Sequence, residues 1–266
     1  MQKLALDDSG VIIIPKFVPN PLIERLKTDL DLAYECCRQA QSLNNLEAKQ
    51  DASVGSLKGV AHHVLSQGKS FLDLLELRPG LDLIEQYLNS KLIIYNYGAF
   101  INEGNGDLYK HGMSIHRDTR TPEFGKHTVV VMVNLDNFTE TNGATYLLPG
   151  SHQNLQRPDT EHFLKYSHQA IVDPGALVIF DARVWHAAGR NTDGTKRRAL
   201  TISFTRPCFK PQFDYCRALG TDKIESMSET IQQLVGYRSR IPSTLEEWYR
   251  PLPDWYYQRG QDSQIV

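Results

Sequence analysis

Cysteine is scarce in this chain of 266 residues: Cys36, Cys37, Cys208 and Cys216 are the only four. None is spaced C-x-x-C, which leaves a zinc ribbon unsupported and makes free thiols in a reducing compartment the expectation. Net charge is nearly absent, −2 at pH 7. No overall field therefore draws the protein to nucleic acid or an anionic membrane, and no basic cluster is dense enough to reopen either class. Long apolar runs are missing too. Val11–Ile14 meets Pro15 at once, far short of the ~20 residues that a membrane span takes. The first residues lack the apolar stretch of a secretion signal, so a cytoplasmic location is expected. There is no internal repeat and no low-complexity tract.

What remains is ordinary globular material, 41% hydrophobic and 23% charged. The length suits one domain, 1–266, able to bury a sizeable core. Asp8-Ser9-Gly10 signals a turn before the β-branched run Val11–Ile14. Asn20-Pro21 then starts a helix, with Asn20 as cap and Pro21 at the first helical position. Leu22, Leu26, Leu30, Ala33 and Cys37 form its apolar stripe. Residues 40–70 are polar and weakly periodic, which predicts a long loop or lid. A helix resumes from Pro79-Gly80 through Leu88.

From Lys91 the texture becomes that of strands: Leu92–Tyr97, Met113–Arg117, Thr128–Leu135, Ala144–Leu148, Ala170–Val172, Ala176–Phe180 and Ala199–Arg206. Many short strands so spaced predict a sandwich or barrel. Helical texture returns from Asp222. The fold class is therefore mainly β with flanking α-helices: an N-terminal strand and helices to about 90, a β core at about 91–206, and a helical C-terminal segment at about 207–266.

His116-Arg117-Asp118 is the one H-x-D/E in the sequence. On a strand, residues i and i+2 share a face, so an imidazole and a carboxylate converge. Chance alone supplies about one such match in a chain of this composition, and a salt-bridged surface pair is the plain alternative. His186 follows a turn and strand, Pro174 to Asp181, and precedes Gly189 and Asn191. It is either a core histidine bonded to a backbone carbonyl or a third ligand at a barrel mouth. Two histidines and one carboxylate on one face leave three coordination positions open, the arrangement of non-haem iron(II) oxygenases. Arg197 and Arg198 follow on the next strand. A buried arginine there can clamp a carboxylate bidentately, but alternation alone does not decide which of the two points inward.

The ordered set of His116-Arg117-Asp118, Thr141-Asn142-Gly143, Leu148-Pro149-Gly150-Ser151-His152, Pro174-Gly175, Phe180-Asp181, Trp185-His186 and Arg197 resembles the phytanoyl-CoA dioxygenase family. The resemblance spans about Lys91 to Arg206, with an echo at Ser9–Val18. It implies a double-stranded β-helix (a cupin-like jelly roll), Fe(II), and 2-oxoglutarate and O2 as cosubstrates. It implies His116, Asp118 and His186 as catalytic iron ligands and Arg197 as the cosubstrate arginine, with Arg198 as the fallback. Asn102 falls near a cosubstrate-contacting position of relatives, and Met132 takes the place of a pocket-wall residue. Ala188 stands where relatives often carry a serine that hydrogen-bonds the cosubstrate. Related halogenases replace the carboxylate ligand with a small residue; Asp118 is present, which favours hydroxylation of a C–H bond with release of succinate and CO2. The alternatives are a jelly-roll protein that binds ligand without turnover, and a metal-dependent isomerase or hydrolase on a cupin-like barrel, for which the strands offer no well-placed fourth ligand, although His127 is close in sequence to His116.

The partner is a small molecule. Lys110, His111, Arg117, Arg120 and Lys126 lie around the first ligand pair; at a mouth they favour an anionic substrate, although surface charges are usually just solvated. His62-His63 belong either to a substrate lid or to an ordinary loop. The tail aromatics Trp248, Tyr249, Trp255, Tyr256 and Tyr257 are read as pocket closure, subunit contact or core. The sequence does not set the oligomeric state.

Overall fold

A computed structural model describes residues 2–43, 59–104, 114–119 and 121–261. Two sheets face one another. The larger has six strands in the order β1-β7-β4-β9-β3-β2, where β1 is Val11–Ile14, β2 Val60–Ala61, β3 Ile93–Asn102, β4 Thr128–Asn134, β7 Leu177–Asp181 and β9 Arg197–Thr205. All its pairings are antiparallel. The smaller runs β6-β5-β8, with β5 Tyr146–Leu147, β6 His168–Gln169 and β8 His186–Ala187. An isolated bridge adds His116 beside His186. This is the double-stranded β-helix, a mainly antiparallel barrel flanked by helices.

Alternation along the strands of the large sheet sorts their apolar residues into two cores. Val129, Val131 and Val133 of β4 face outward, with Leu177 and Ile179 of β7 and Leu200, Ile202 and Phe204 of β9. Against them pack α2 (Asn20–Leu43), α3 (Lys69–Glu76) and α4 (Leu81–Leu88), through Leu26, Leu30, Phe71, Leu74 and Ile84. Val130 and Met132 face inward, with Val178, Phe180, Ala199, Phe138, Ala144 and Leu147. A strand covered on both faces reads as a continuous apolar run, and all seven residues of β4 are buried.

Several expectations are corrected. The 40–70 segment is not a long loop where it is described: α2 continues to Leu43, β2 joins the large sheet, and Val64, Leu65 and Ser70 are buried. Asp29 of α2 accepts hydrogen bonds from the Ser70 backbone N–H (3.0 Å) and Oγ (2.6 Å), supplying the α3 N-terminus with an acceptor. A two-residue strand carries no periodic signal, which is why β2 is invisible in the sequence. Residues 44–58 lie outside the described residues. An N-terminal helix, α1 (Gln2–Ser9), precedes β1. The strand expected at Met113–Arg117 shrinks to the bridge at His116, with Met113 outside the described residues; Ala170–Val172 shrinks to a bridge at Val172, β6 taking its place. After α5 (Thr160–Tyr166), the C-terminal part is built of short helices, α6 (Tyr215–Leu219), α7 (Thr221–Glu225), α8 (Glu229–Leu234) and α9 (Leu245–Trp248). Among the described residues no helix is long and apolar enough to cross a membrane.

Candidate metal centre

His116, Asp118 and His186 come together at one end of the barrel. One ligand-type atom from each lies within 4.8 Å of the others, a spacing that one ion can bridge. Asp118 Oδ1 is 3.7 Å from Nε2 of both imidazoles. The two histidines are locked by reciprocal backbone hydrogen bonds, each N–H to the other's carbonyl at 2.9 Å, and their ring centroids are 4.2 Å apart. Asp118 and Thr119 donate backbone N–H groups to the Ala182 carbonyl at 2.9 and 3.1 Å. That ties the first pair of residues to the turn carrying the third.

The rings are oriented from behind. His116 Nδ1 is 2.8 Å from the Ser114 carbonyl, and His186 Nδ1 is 3.0 Å from the Val184 carbonyl. A carbonyl only accepts, so each Nδ1 carries the proton and each Nε2 lone pair is left toward Asp118. The backbone of Trp185 is pinned as well: its N–H donates to Ser151 Oγ (2.9 Å), Ser151 Oγ–H donates to the Leu148 carbonyl (2.6 Å), and the Leu148 N–H donates to the Trp185 carbonyl (2.9 Å). The Pro149-Gly150-Ser151-His152 turn is thus a brace for the segment holding His186. His152 Nε2 meets the Asp7 carbonyl (3.1 Å). A Cβ at Gly10 would lie 2.6 Å from His152 Nδ1 and 2.7 Å from Val184 Cγ2, so glycine is required where β1 passes the brace.

Arg197 and Arg198 separate cleanly. Arg198 points to the helical side and forms a two-pronged ion pair with Asp136 (Nε 2.9 Å, Nη2 3.0 Å), which also accepts its backbone N–H. Burial opposes ionisation of Asp136, yet Arg198 holds its carboxyl below the usual range. Arg197 is 4% exposed and lies over the Phe138 ring at 4.5 Å. Among the described residues its Nε and Nη1 have no partner. Burial pulls its pKa down to about 10, partly offset by Asp136, so it stays a cation at neutral pH. An unpaired buried guanidinium is costly alone and suits an anion.

Asn102 stands directly opposite Arg197 in the β3–β9 register and is fully buried. Its Oδ1 accepts the Gly104 N–H (3.1 Å), while its Nδ2 is unpartnered. A Cβ at Gly143, where φ is +88°, would come within 2.8 Å of that Nδ2 and 2.7 Å of the Gly189 carbonyl. Met132 is 5% exposed on the inward face, its Sδ accepting from Thr145 Oγ1 at 3.7 Å. Asn134 on the same face has no partner at either amide atom. The donor set of two imidazoles and a carboxylate fits a divalent transition metal, and the unpartnered donors of Arg197 and Asn102 fit an anion.

Other candidates lie elsewhere. His127 Nε2 is within 3.0 Å of Thr119 Oγ1 and its Nδ1 within 2.9 Å of the Gly125 carbonyl, so it serves the chain's own folding. Lys126 pairs with Asp7 and covers the Tyr87 ring, and Arg117 donates to the Leu155 carbonyl (2.7 Å) and lies over Trp185. Lys126 is therefore held in an ion pair, whereas Arg117 is held by a carbonyl and a ring and keeps an unpartnered Nη1 among the described residues. Lys110, His111 and Arg120 lie outside the described residues. His63 stacks on Phe213 at 4.4 Å, and burial together with His62 lowers its pKa to about 4. Trp248 and Tyr249 are exposed, and Tyr256 lies between Arg240 and Arg250. Among the described residues no disulfide joins Cys36, Cys37, Cys208 or Cys216.

Comparison with known proteins bears on the family and the fold. An uncharacterised protein of Mycobacterium tuberculosis, Rv1501, is 32% identical over 229 residues, 84% of this chain and 83% of its own length. An iron/alpha-ketoglutarate-dependent dioxygenase of Aspergillus calidoustus, ausU, is 24% identical, with 90% of this chain and 81% of that protein covered. The solved structure of a non-haem monooxygenase, the ThoJ–nickel complex, shares the fold with a TM-score of 0.58 at 16% identity over 80% of both chains. The family model for phytanoyl-CoA dioxygenase matches residues 6–199. The chain belongs to the phytanoyl-CoA dioxygenase family.

Proposed function

We propose that the protein is an Fe(II)- and 2-oxoglutarate-dependent dioxygenase that hydroxylates a C–H bond of a small molecule. The observation that carries this reading is the convergence of two imidazole Nε2 atoms on one carboxylate, each ring already committed at Nδ1 to a backbone carbonyl. His116, Asp118 and His186 would hold the metal. Fe(II) held there would supply, with 2-oxoglutarate, the activation of O2 that gives succinate and CO2 and passes one oxygen atom to substrate. Arg197 would receive the distal carboxylate of 2-oxoglutarate, beside Asn102 and the Met132 wall. The braces at Ser114, Val184 and Ser151 hold the rings so that the ligand set does not rearrange as cosubstrate and substrate enter. Apolar residues of the inner face, Val130, Phe180 and Val178 among them, limit water in the barrel.

The retained carboxylate at Asp118 supports hydroxylation over halogenation. The test is incubation with Fe(II), 2-oxoglutarate, 18O2 and a metabolite panel. Succinate formation coupled to a product carrying one 18O atom is the expected result; succinate without any oxygenated product, or none at all, would count against hydroxylation.

A milder perturbation tests the brace. Ser151→Ala removes the acceptor for the Trp185 N–H while leaving all three ligands in place. Iron affinity should fall about tenfold, the range seen when outer-shell partners of metal ligands are removed. Competition against a coloured chelator measures it, and unchanged affinity would show that Ser151 serves the fold alone.

A further inference from the structure

Asn134 is the last residue of β4, a strand otherwise built of valines, Met132 and Thr128. It is 0% exposed, and among the described residues neither Oδ1 nor Nδ2 has a hydrogen-bond partner. Burying an amide with nothing to bond to is destabilising, so such a group calls for an explanation. Its position supplies one. Strand alternation puts Asn134 on the inward face with Val130 and Met132, away from the helices that Val131 and Val133 meet. In register it lies opposite Ala199, the inward neighbour of Arg197 on β9, and Arg197 lies opposite Asn102 on β3. Three adjacent strands therefore deliver Asn134, Arg197 and Asn102 to one end of the inner face.

Their unpartnered atoms are unequal in kind. Arg197 Nε and Nη1, Asn102 Nδ2 and Asn134 Nδ2 are four donors; Asn134 Oδ1 is the single acceptor. Asn102 Oδ1 is already taken by the Gly104 N–H. A group of atoms with this excess of donors suits a carboxylate, which accepts at two oxygens, better than a water cluster, which needs both kinds.

We propose that Asn134 is a specificity-determining residue whose amide, with Arg197 and Asn102, receives the distal carboxylate of the 2-oxo acid cosubstrate. The proposal rests on the reading of the barrel as a 2-oxoglutarate site and names a residue that sets which 2-oxo acid is accepted.

The test loads the protein with manganese(II) and titrates it calorimetrically with 2-oxoglutarate and with 2-oxopentanoate, the same carbon skeleton without the distal carboxylate. Asn134→Ala should weaken 2-oxoglutarate binding about tenfold, as loss of a hydrogen bond to a charged group does, and leave 2-oxopentanoate unchanged. Asn134→Asp, which sets a second carboxylate against the first, should weaken it further. Asn134→Leu fills the volume without a polar atom. It should fold at least as stably as the parent without ligand and show the same selective loss, which keeps the test valid if the alanine variant folds poorly. Equal affinity for 2-oxoglutarate in parent and variants, or equal losses for both acids, would overturn the role of Asn134 while leaving the cosubstrate reading intact. Failure of the parent to bind 2-oxoglutarate would overturn both.

Discussion

Arg197→Leu is expected to weaken 2-oxoglutarate binding by roughly 100-fold or more while leaving iron affinity unchanged. Removing one partner of a buried charge pair costs on the order of 2–5 kcal/mol, and each ~1.4 kcal/mol is tenfold in affinity. The substitution also separates function from stability. In the ligand-free protein Arg197 is buried with two unpartnered nitrogens, so an apolar replacement removes a desolvated cation instead of a stabilising contact. The melting temperature without ligand should therefore hold or rise, although the contact with the Phe138 ring is lost. Arg198→Leu is the contrasting control. It strips Asp136 of its two-pronged partner, so it should lower stability and leave 2-oxoglutarate affinity nearly unchanged. Isothermal titration and thermal melts of the two variants give four numbers, and a reversed pattern would assign the cosubstrate to the wrong arginine.

Asp118→Ala is expected to reduce succinate formation to the level of the metal-free protein. The carboxylate is the only anion of the candidate set, equidistant from both imidazoles. Without it, two neutral rings are left to hold a dication. Over a third of its side chain is exposed, so folding should change little, within about 0.5 kcal/mol. Coupled succinate assays on anaerobically reconstituted protein measure the loss, and full turnover in Asp118→Ala would remove the carboxylate from the mechanism.

The elements that position the site were legible where their apolar pattern is sustained. β4 and β7 announce themselves as apolar runs and β9 by the alternation of Leu200, Ile202 and Phe204 with polar residues, and the i, i+2 spacing of His116 and Asp118 holds even though their segment forms one bridge instead of a full strand. The reason is that a single reciprocal pair of hydrogen bonds to His186 fixes the local conformation. What the sequence hides are partners distant along the chain. Alternation could not rank Arg197 against Arg198, because the decision belongs to Asp136, which takes Arg198 from outside the barrel. The place of Lys126 was hidden for the same reason: it is claimed by Asp7 of α1, a helix with no strong amphipathic pattern. Asn134 could have been noticed as a polar residue on the inward phase of β4, but only the register with β9 and β3 shows what it joins.

Iron binding by the parent protein and by His186→Ala, titrated anaerobically with Fe(II) and then with 2-oxoglutarate, reaches the centre of the account. One equivalent of iron and a weak visible charge-transfer band on adding the keto acid are predicted for the parent, with both lost when His186 is replaced. Iron and keto acid binding to His186→Ala as they do to the parent would mean that the third ligand lies elsewhere and that the centre described here is not the one the protein uses.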